Sequence, residues 1–266
     1  DEKKHLIVFN NGVYDSKKCQ FRPGEPDDYC TKTTNQDYLM NIDMKHDPRV
    51  KRIYGILRKT FTDPNLYEFF RQTMADIIQG GNTHKIFLIW TGEGDNGKSI
   101  VADLLEKALG MYAYSPPTEV ITTKRKTSSG PTPELMPLKG ARVSLMSETG
   151  DNDLLNSGIL KKLSGGDPIA IRGLFTDIIT IYPNFLNILH CNKMPRVNAN
   201  DPAVFNRVRV VHFDSKFLRP NDPRIPKTET EQKRKKIFPR DEGLKDELND
   251  LAPVFARMMI EWNKEF

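Results

Sequence analysis

Cysteine is scarce in this sequence of 266 residues. There are three, Cys19, Cys30 and Cys191, and none forms a CxxC pair. That excludes a disulfide framework and points to a reducing compartment. The five histidines are scattered, and neither they nor the cysteines carry metal-ligand spacing, so a structural zinc is not expected. Long apolar runs are missing too. None approaches the ~20 residues needed to span a bilayer, and no signal-peptide pattern opens the chain. Internal repeats are absent. Neither sign of charge dominates: 40 Lys and Arg face 35 Asp and Glu, a net charge of +5. This mild basic bias is compatible with an anionic partner without identifying one.

What remains is polar and globular in character. Hydrophobic residues make up 38% and charged residues 28%, with a mean hydropathy of −0.55. The length suits one medium domain with appendages, or two small ones, and allows a real core. The chain begins at Asp1 and not at Met, and is read as a piece of a longer protein. Basic residues cluster at 124–126, at Lys161 and Lys162, and at 233–236; each cluster taken alone reads as a solvated surface.

Residues 1–60 mix short apolar stretches with turn-rich segments such as "RPGEPDD" and read as irregular structure with a hairpin or two. A helix is predicted next. Asp63 can cap it, Pro64 suits its first position, and Leu66, Phe69, Phe70, Met74, Ile77 and Ile78 share one face before Gly80 and Gly81 stop it. From Ile86 the pattern becomes strand, loop, helix. "IFLIW" is a continuous apolar run of the buried parallel type, and a helix is predicted over 99–109. Further strands are predicted over 141–146, 185–191 and 208–213, with a helix over 154–163. Apolar strands alternating with helices argue for a parallel α/β sheet. Residues 214–243, rich in proline and charge, read as an exposed connection. The last apolar stripe (Val254, Phe255, Met258, Met259, Trp262) reads as a terminal helix packed on the domain. The organisation is therefore an N-terminal accessory and helical segment over 1–82, an α/β core over 83–214, and a C-terminal connection and helix over 215–266.

The strongest chemical signal is "TGEGDNGKS". Gly92, Gly97, Lys98 and Ser99 fit G-x-x-x-x-G-K-[ST] between a buried-type strand and an amphipathic helix. The loop residues Gly92, Glu93, Gly94, Asp95, Asn96 and Gly97 would curl so that backbone N–H groups point inward. The helix start at Lys98, Ser99 and Ile100 would add its unsatisfied donors and positive dipole end. Lys98 can reach β and γ phosphates, and the Ser99 hydroxyl can ligate Mg²⁺. ATP with Mg²⁺ is the expected ligand. "RVSLMSE" supplies a second strand ending at Glu148, a carboxylate able to orient an attacking water and share the metal. The position before it is Ser147, where many such ATPases carry Asp; metal ligation then rests on Ser99, Glu148 and water. A third strand ends in "HCNKMP", which sets Asn192 where an amide can sense the γ-phosphate.

"GEGDNGKS", "SLMSE", "LKKLSGGDPIAIRGLF" and "ILHCNKMP", in that order, resemble the helicase domain of superfamily 3, in the primase-helicase branch of poxviruses, other large DNA viruses and some phages and plasmids. The resemblance covers residues 86–213, and "NGVYD" and the terminal segment fit the same branch. It implies an AAA+-like P-loop core with a central parallel sheet, flanked by a small N-terminal segment and a C-terminal helical segment. It further implies a homo-oligomeric ring, usually a hexamer, translocating 3′ to 5′ on single-stranded DNA at a replication fork. A primase domain would lie upstream. The location would be host-cell cytoplasm or a viral replication site, with no membrane. A hairpin over 169–181 would project into the channel with Arg172, Gly173, Leu174 and Phe175 at its tip. Arg172 would meet a phosphate and Phe175 a base, with Lys161 and Lys162 as further channel charges or as plain solvated lysines. In "FNRVRVVHF", Arg207 matches an arginine finger acting on the neighbouring subunit's nucleotide, with Arg209 as the other candidate.

The function expected is an ATP-dependent DNA helicase motor. The alternatives are another P-loop ATPase, such as a DNA-packaging or remodelling AAA+ motor, and a non-catalytic ATP-gated DNA-binding scaffold.

Overall fold

In the structure, a computed structural model, residues 3–122, 133–150, 153–173, 177–198 and 200–266 are described. The chain opens with three short antiparallel strands, β1 (Leu6–Phe9), β2 (Gly12–Asp15) and β3 (Gln20–Arg22). Two helices follow, α1 (Pro48–Thr60) and α2 (Pro64–Gln79). Both begin the same way: an Asp side chain, Asp47 or Asp63, accepts from first-turn N–H groups, and a proline occupies the first position. Helix α2 meets the expectation. Helix α1 corrects it, because residues 1–60 are not all irregular. Val50, Ile53, Ile56 and Leu57 line one buried face of α1, which that reading overlooked.

The centre is β4 (Phe87–Thr91), α3 (Lys98–Leu109), β5 (Ala113–Tyr114), β6 (Val143–Ser147), α4 (Ser157–Gly165), β7 (Ile169–Arg172), β8 (Ile178–Ile181), β9 (Leu186–Cys191), α5 (Pro202–Phe205) and β10 (Val208–His212). Strands β10, β4, β9, β6 and β5 form, in that order, an all-parallel five-stranded sheet, and β7 pairs with β8 as a separate antiparallel hairpin. This is the α/β architecture expected of the core. Element ends differ from expectation by a residue or two, and α4 starts three residues later because Asn156 caps it.

Both faces of the sheet are covered. Along β4, Leu88 and Trp90 turn to one side and Phe87 and Ile89 to the other, the alternation of a pleated strand buried twice. Helices α1, α2 and α3 pack on the Trp90 side. The other side carries α4, the β7–β8 hairpin and short 3-10 turns at Thr118–Ile121 and Pro133–Leu138.

Residues 214–243 are also corrected. They hold β11 (Lys216–Leu218), α6 (Glu229–Lys235) and β12 (Ile237–Pro239), with β11 and β12 paired in parallel. The last helix, α7 (Leu244–Glu265), buries Val254, Phe255, Met258, Met259 and Trp262 as expected. It packs against α1, α2 and α3, so one hydrophobic core draws on the beginning, middle and end of the chain. Phe61 at the end of α1 sits 5.1 Å from the Phe213 ring, which lies 5.5 Å from Trp90. Burying such aromatic groups contributes about 1.5–3 kcal/mol each. The cluster fixes α1 behind the loop that leaves β4.

Candidate functional site

Parallel strands present their C-terminal ends together, and ligands of open α/β sheets bind outside those ends. Here the ends of β4, β9 and β6 are neighbours: Thr91 pairs with Cys191, and Ser147 with His190. The loop 92–97, Asn192 and Glu148 follow directly from them. All three line one cavity of about 930 Å³.

The loop after β4 is curled by positive φ at Gly92 (142°), Asp95 (64°) and Gly97 (88°). Two glycines are required where they stand. A Cβ on Gly92 would lie 2.6 Å from the Phe213 carbonyl oxygen, and one on Gly97 would lie 3.0 Å from Thr60 Oγ1. Asn96 is buried inside the curl. Its Nδ2 donates to the Phe213 carbonyl at 3.3 Å and its Oδ1 accepts from the Lys98 backbone N–H at 3.3 Å. Gly97, the N-cap of α3, brings no side-chain cap, so apart from the Lys98 N–H bonded to Asn96 the first turn leaves its N–H groups and dipole to the cavity.

Lys98 is buried. Its amine donates to the Gly92 carbonyl oxygen, to Asn96 Oδ1 at 3.2 Å and to Asn192 Oδ1 at 3.3 Å. Burial pushes its pKa below the ordinary lysine value, against the opposing pull of Cys191 and Glu148. Ser99 and Glu148 are exposed toward the cavity, as is Asn192. Glu148 is held in a left-handed turn (φ 52°), its N–H donating to the His190 carbonyl at 3.0 Å. Among the described residues no cluster of three His, Cys, Asp or Glu could hold a metal by itself. Ser99 and Glu148 offer oxygens that a hard cation could take into its shell; the cavity's other carboxylates are Asp95 and Asp241, paired with Arg240 and Arg52, and Glu242.

The rest of the cavity wall was not foreseen. Ile56, Lys59 and Thr60 of α1 form one side, and Phe217, Pro239 and Arg240 of the β11–β12 segment form another. That segment is tied to the loop: the Phe217 N–H donates to the Asp95 carbonyl at 2.7 Å, Arg240 pairs with the Asp95 carboxylate, and Lys216 lies 3.5 Å from Glu93. Gly94 and Ile100 complete the lining of the loop. His190 also faces the cavity, its pKa lowered by burial against the opposing charges of Glu148 and Asp103. The capped start of α1 was a readable signal for its side of the wall. Nothing local marks Phe217 or Arg240.

Other predicted residues lie elsewhere. Arg207 precedes β10, whose first residue pairs with Phe87 at the opposite end of the sheet from the loop. Five strand residues put it roughly 16 Å away. Its Nη1 donates to the Ala203 carbonyl at 2.7 Å, while the exposed Arg209 donates to the Asn206 and Val208 carbonyls. Neither arginine enters its own chain's cavity. Arg172 ends β7 and is exposed at the hairpin's far end, followed by the buried Gly173; Leu174 and Phe175 lie outside the described residues. Lys161 pairs with Asp201 at 2.9 Å, whereas Lys162 is exposed.

Comparison with known proteins adds three findings. The family model described as "D5 N terminal like" matches residues 1–79. The chain is 35% identical over 98% of its length to "Putative helicase 184R" of Invertebrate iridescent virus 6, and 33% identical over its whole length to a protein named likewise a "Putative helicase" of Acanthamoeba polyphaga mimivirus. It spans only about a quarter of those relatives, 27% of each. Among solved structures, the apo C-terminal region of NrS-1 shares the fold, with a TM-score of 0.56 at 16% identity over 81% of this chain and 50% of that one.

Proposed function

We propose that the chain is the ATP-driven motor of a viral replication helicase, of the superfamily 3 primase-helicase type that its motifs resemble and in keeping with its similarity to putative helicases of large DNA viruses. The observation that carries this reading is the convergence of Lys98, Glu148 and Asn192 from three adjacent strand ends into one cavity floored by the N-terminus of α3. The donor set fits a magnesium triphosphate. Backbone amides of 94–100 would hold the β-phosphate, the Lys98 amine would move from the Gly92 carbonyl to β and γ oxygens, and Ser99 with Glu148 would hold Mg²⁺. Bound there, the ion supplies charge neutralisation on the phosphates. Glu148 would orient the attacking water and Asn192 would report the γ-phosphate to Lys98, to which it is already bonded.

Arg207 lies at the opposite end of the sheet from its own cavity, so any nucleotide it served would be a neighbour's. We therefore read the active form as a ring, a hexamer by family resemblance, moving 3′ to 5′ on single-stranded DNA with the β7–β8 hairpin toward the strand. An upstream primase domain and a site of action in the cytoplasm or viral replication compartment belong to the same proposal. The test is DNA-stimulated ATP turnover against protein concentration. The rate should rise more steeply than linearly at low concentration and collapse in Arg207→Ala. A linear dependence unaffected by that substitution would refute shared catalysis.

A second reading, an ATP-gated scaffold, is favoured by one observation: Ser147 ends β6 where a carboxylate would strengthen metal binding. ATP binding without turnover, with and without DNA, would select it.

A further inference from the structure

The cavity of about 930 Å³ does not end at the glycine-rich loop; it continues along α1 to the start of α7. One wall is a face of α1, where Arg52, Gly55, Ile56 and Lys59 succeed one another at three- and four-residue steps. Pro239 and Leu244 belong to the other wall. The gap between the walls is fixed at both ends. At the loop end, Thr60 stands so close that a Cβ on Gly97 would lie 3.0 Å from its Oγ1. At the far end, Arg52 pairs with Asp241 and, at 2.9 Å, with Glu247 of α7. Between these two ties sits Gly55, in the interior of a 13-residue helix. Glycine is the least favourable residue there after proline. Nothing in the fold requires it. Its φ is not positive, and among the described residues a Cβ at Gly55 would meet no atom within 4 Å. What the missing side chain leaves is an exposed strip of helix backbone facing the slot, with the buried Ile56 beside it.

We propose that this strip is the platform for the nucleobase: the base of a bound nucleotide lies flat on α1 at Gly55 and Ile56, with Pro239 and Leu244 on the opposite wall. The surface chemistry selects that part of the ligand. A bare backbone and three apolar side chains suit the face of an unsaturated ring and offer nothing to a phosphate. Glycine is also the residue that lets a backbone and a ligand approach closely. Position agrees. Gly55 precedes Thr60 by five residues, about 7.5 Å along the helix axis. That is the span of a ribose and its α-phosphate, counted back from a loop that would hold the β-phosphate. The inference rests on the triphosphate reading of the loop and adds the half of the ligand that the loop does not address. Gly55 would then set how tightly a whole nucleotide is held relative to its polyphosphate tail.

The experiment is isothermal titration calorimetry with MgATP and with magnesium tripolyphosphate, which carries the same tail and no base. The unmodified chain should bind MgATP about tenfold or more tighter than tripolyphosphate. Gly55→Leu fills the slot with a side chain that helices tolerate well. It should raise the Kd for MgATP about tenfold or more and leave that for tripolyphosphate within about twofold. Gly55→Ala serves if the larger residue disturbs folding: it should raise the Kd for MgATP about threefold or more while lifting the melting temperature of the ligand-free chain by about 2–4 °C. Unchanged MgATP affinity in the folded variants would overturn the proposal. So would an equal loss of both ligands, which would mean that residue 55 acts on the phosphate end. If the unmodified chain binds neither ligand, the triphosphate reading itself fails and this inference falls with it. If it binds both equally tightly, the triphosphate reading stands and the base platform alone is refuted.

Discussion

The Lys98 ammonium donates to Asn192 Oδ1 at 3.3 Å, so the residue that follows β9 is bonded directly to the first residue of α3. Any ligand that draws the lysine toward itself must release or carry that amide. The asparagine is thereby coupled to occupancy while lying outside the phosphate-cradling loop.

This separates binding from turnover. Asn192→Ala should leave the nucleotide Kd within about threefold and lower the turnover rate by about 10²-fold, as for loss of one polar group acting at the reacting centre. Equilibrium binding of a fluorescent ATP analogue, compared with steady-state phosphate release, checks it. An equal loss in both would mean that the amide serves ground-state binding.

Lys98 sets stability against function. Burial disfavours its charged form in the fold, so Lys98→Met should raise the melting temperature of the ligand-free chain. The same variant should lose the shift caused by MgATP. In the unmodified chain that shift is about 5–10 °C when the ligand stands at about 100 times its Kd. Differential scanning fluorimetry with and without MgATP reads both. A retained MgATP shift in Lys98→Met would remove the phosphate-site assignment.

The glycines of the loop are not equivalent. Gly97 has φ 88° and a Cβ there would press on Thr60 at 3.0 Å and on the Phe217 ring at 3.2 Å, whereas Gly94 opens on empty space. Gly97→Ala should cost about 1–2 kcal/mol, a fall of roughly 3–6 °C in Tm. Gly94→Ala should stay within about 0.5 kcal/mol. Thermal unfolding of the two variants side by side makes the comparison, and equal losses would contradict the loop geometry.

His190 gives the chain an acid limit. Its folded pKa lies below the ordinary 6.5, so over the interval between the two values the unfolded chain binds the proton that the fold refuses. Its contribution is fully present above about pH 6.5 and is lost as pH falls toward its folded value. His5 is shifted in the same direction, also by burial. Urea unfolding at pH 5 and pH 7 should show a smaller pH dependence in His190→Gln than in the unmodified chain, with His5→Gln giving the other part. An unchanged difference in His190→Gln would mean the imidazole takes its proton freely.

The parts of the site readable in the sequence are those written in neighbouring residues. A glycine-rich turn between a buried strand and an amphipathic helix dictates its own geometry, and the stripe from Val254 to Trp262 announces its buried face. Helix α1 was equally readable, since Asp47 and Pro48 repeat the signal of Asp63 and Pro64, but the turn-rich stretch before it dominated the reading of residues 1–60. The wall formed by Phe217 and Arg240 was out of reach. It depends on β11 pairing with a strand some twenty residues on, and on a backbone bond from Phe217 to Asp95 that no local pattern encodes. The same holds for Arg207. Its residue type was visible, while its distance from its own cavity follows only from the direction of β10.

The cavity is walled by α1 near the start of the chain, by the loop in its middle and by Arg240 and Leu244 near its end. A molecule seated there would act as a staple across stretches of sequence nearly two hundred residues apart. Protection of both extremities from proteases, and not only of the glycine-rich turn, would then be the signature of a filled pocket, and trimming either extremity would empty it.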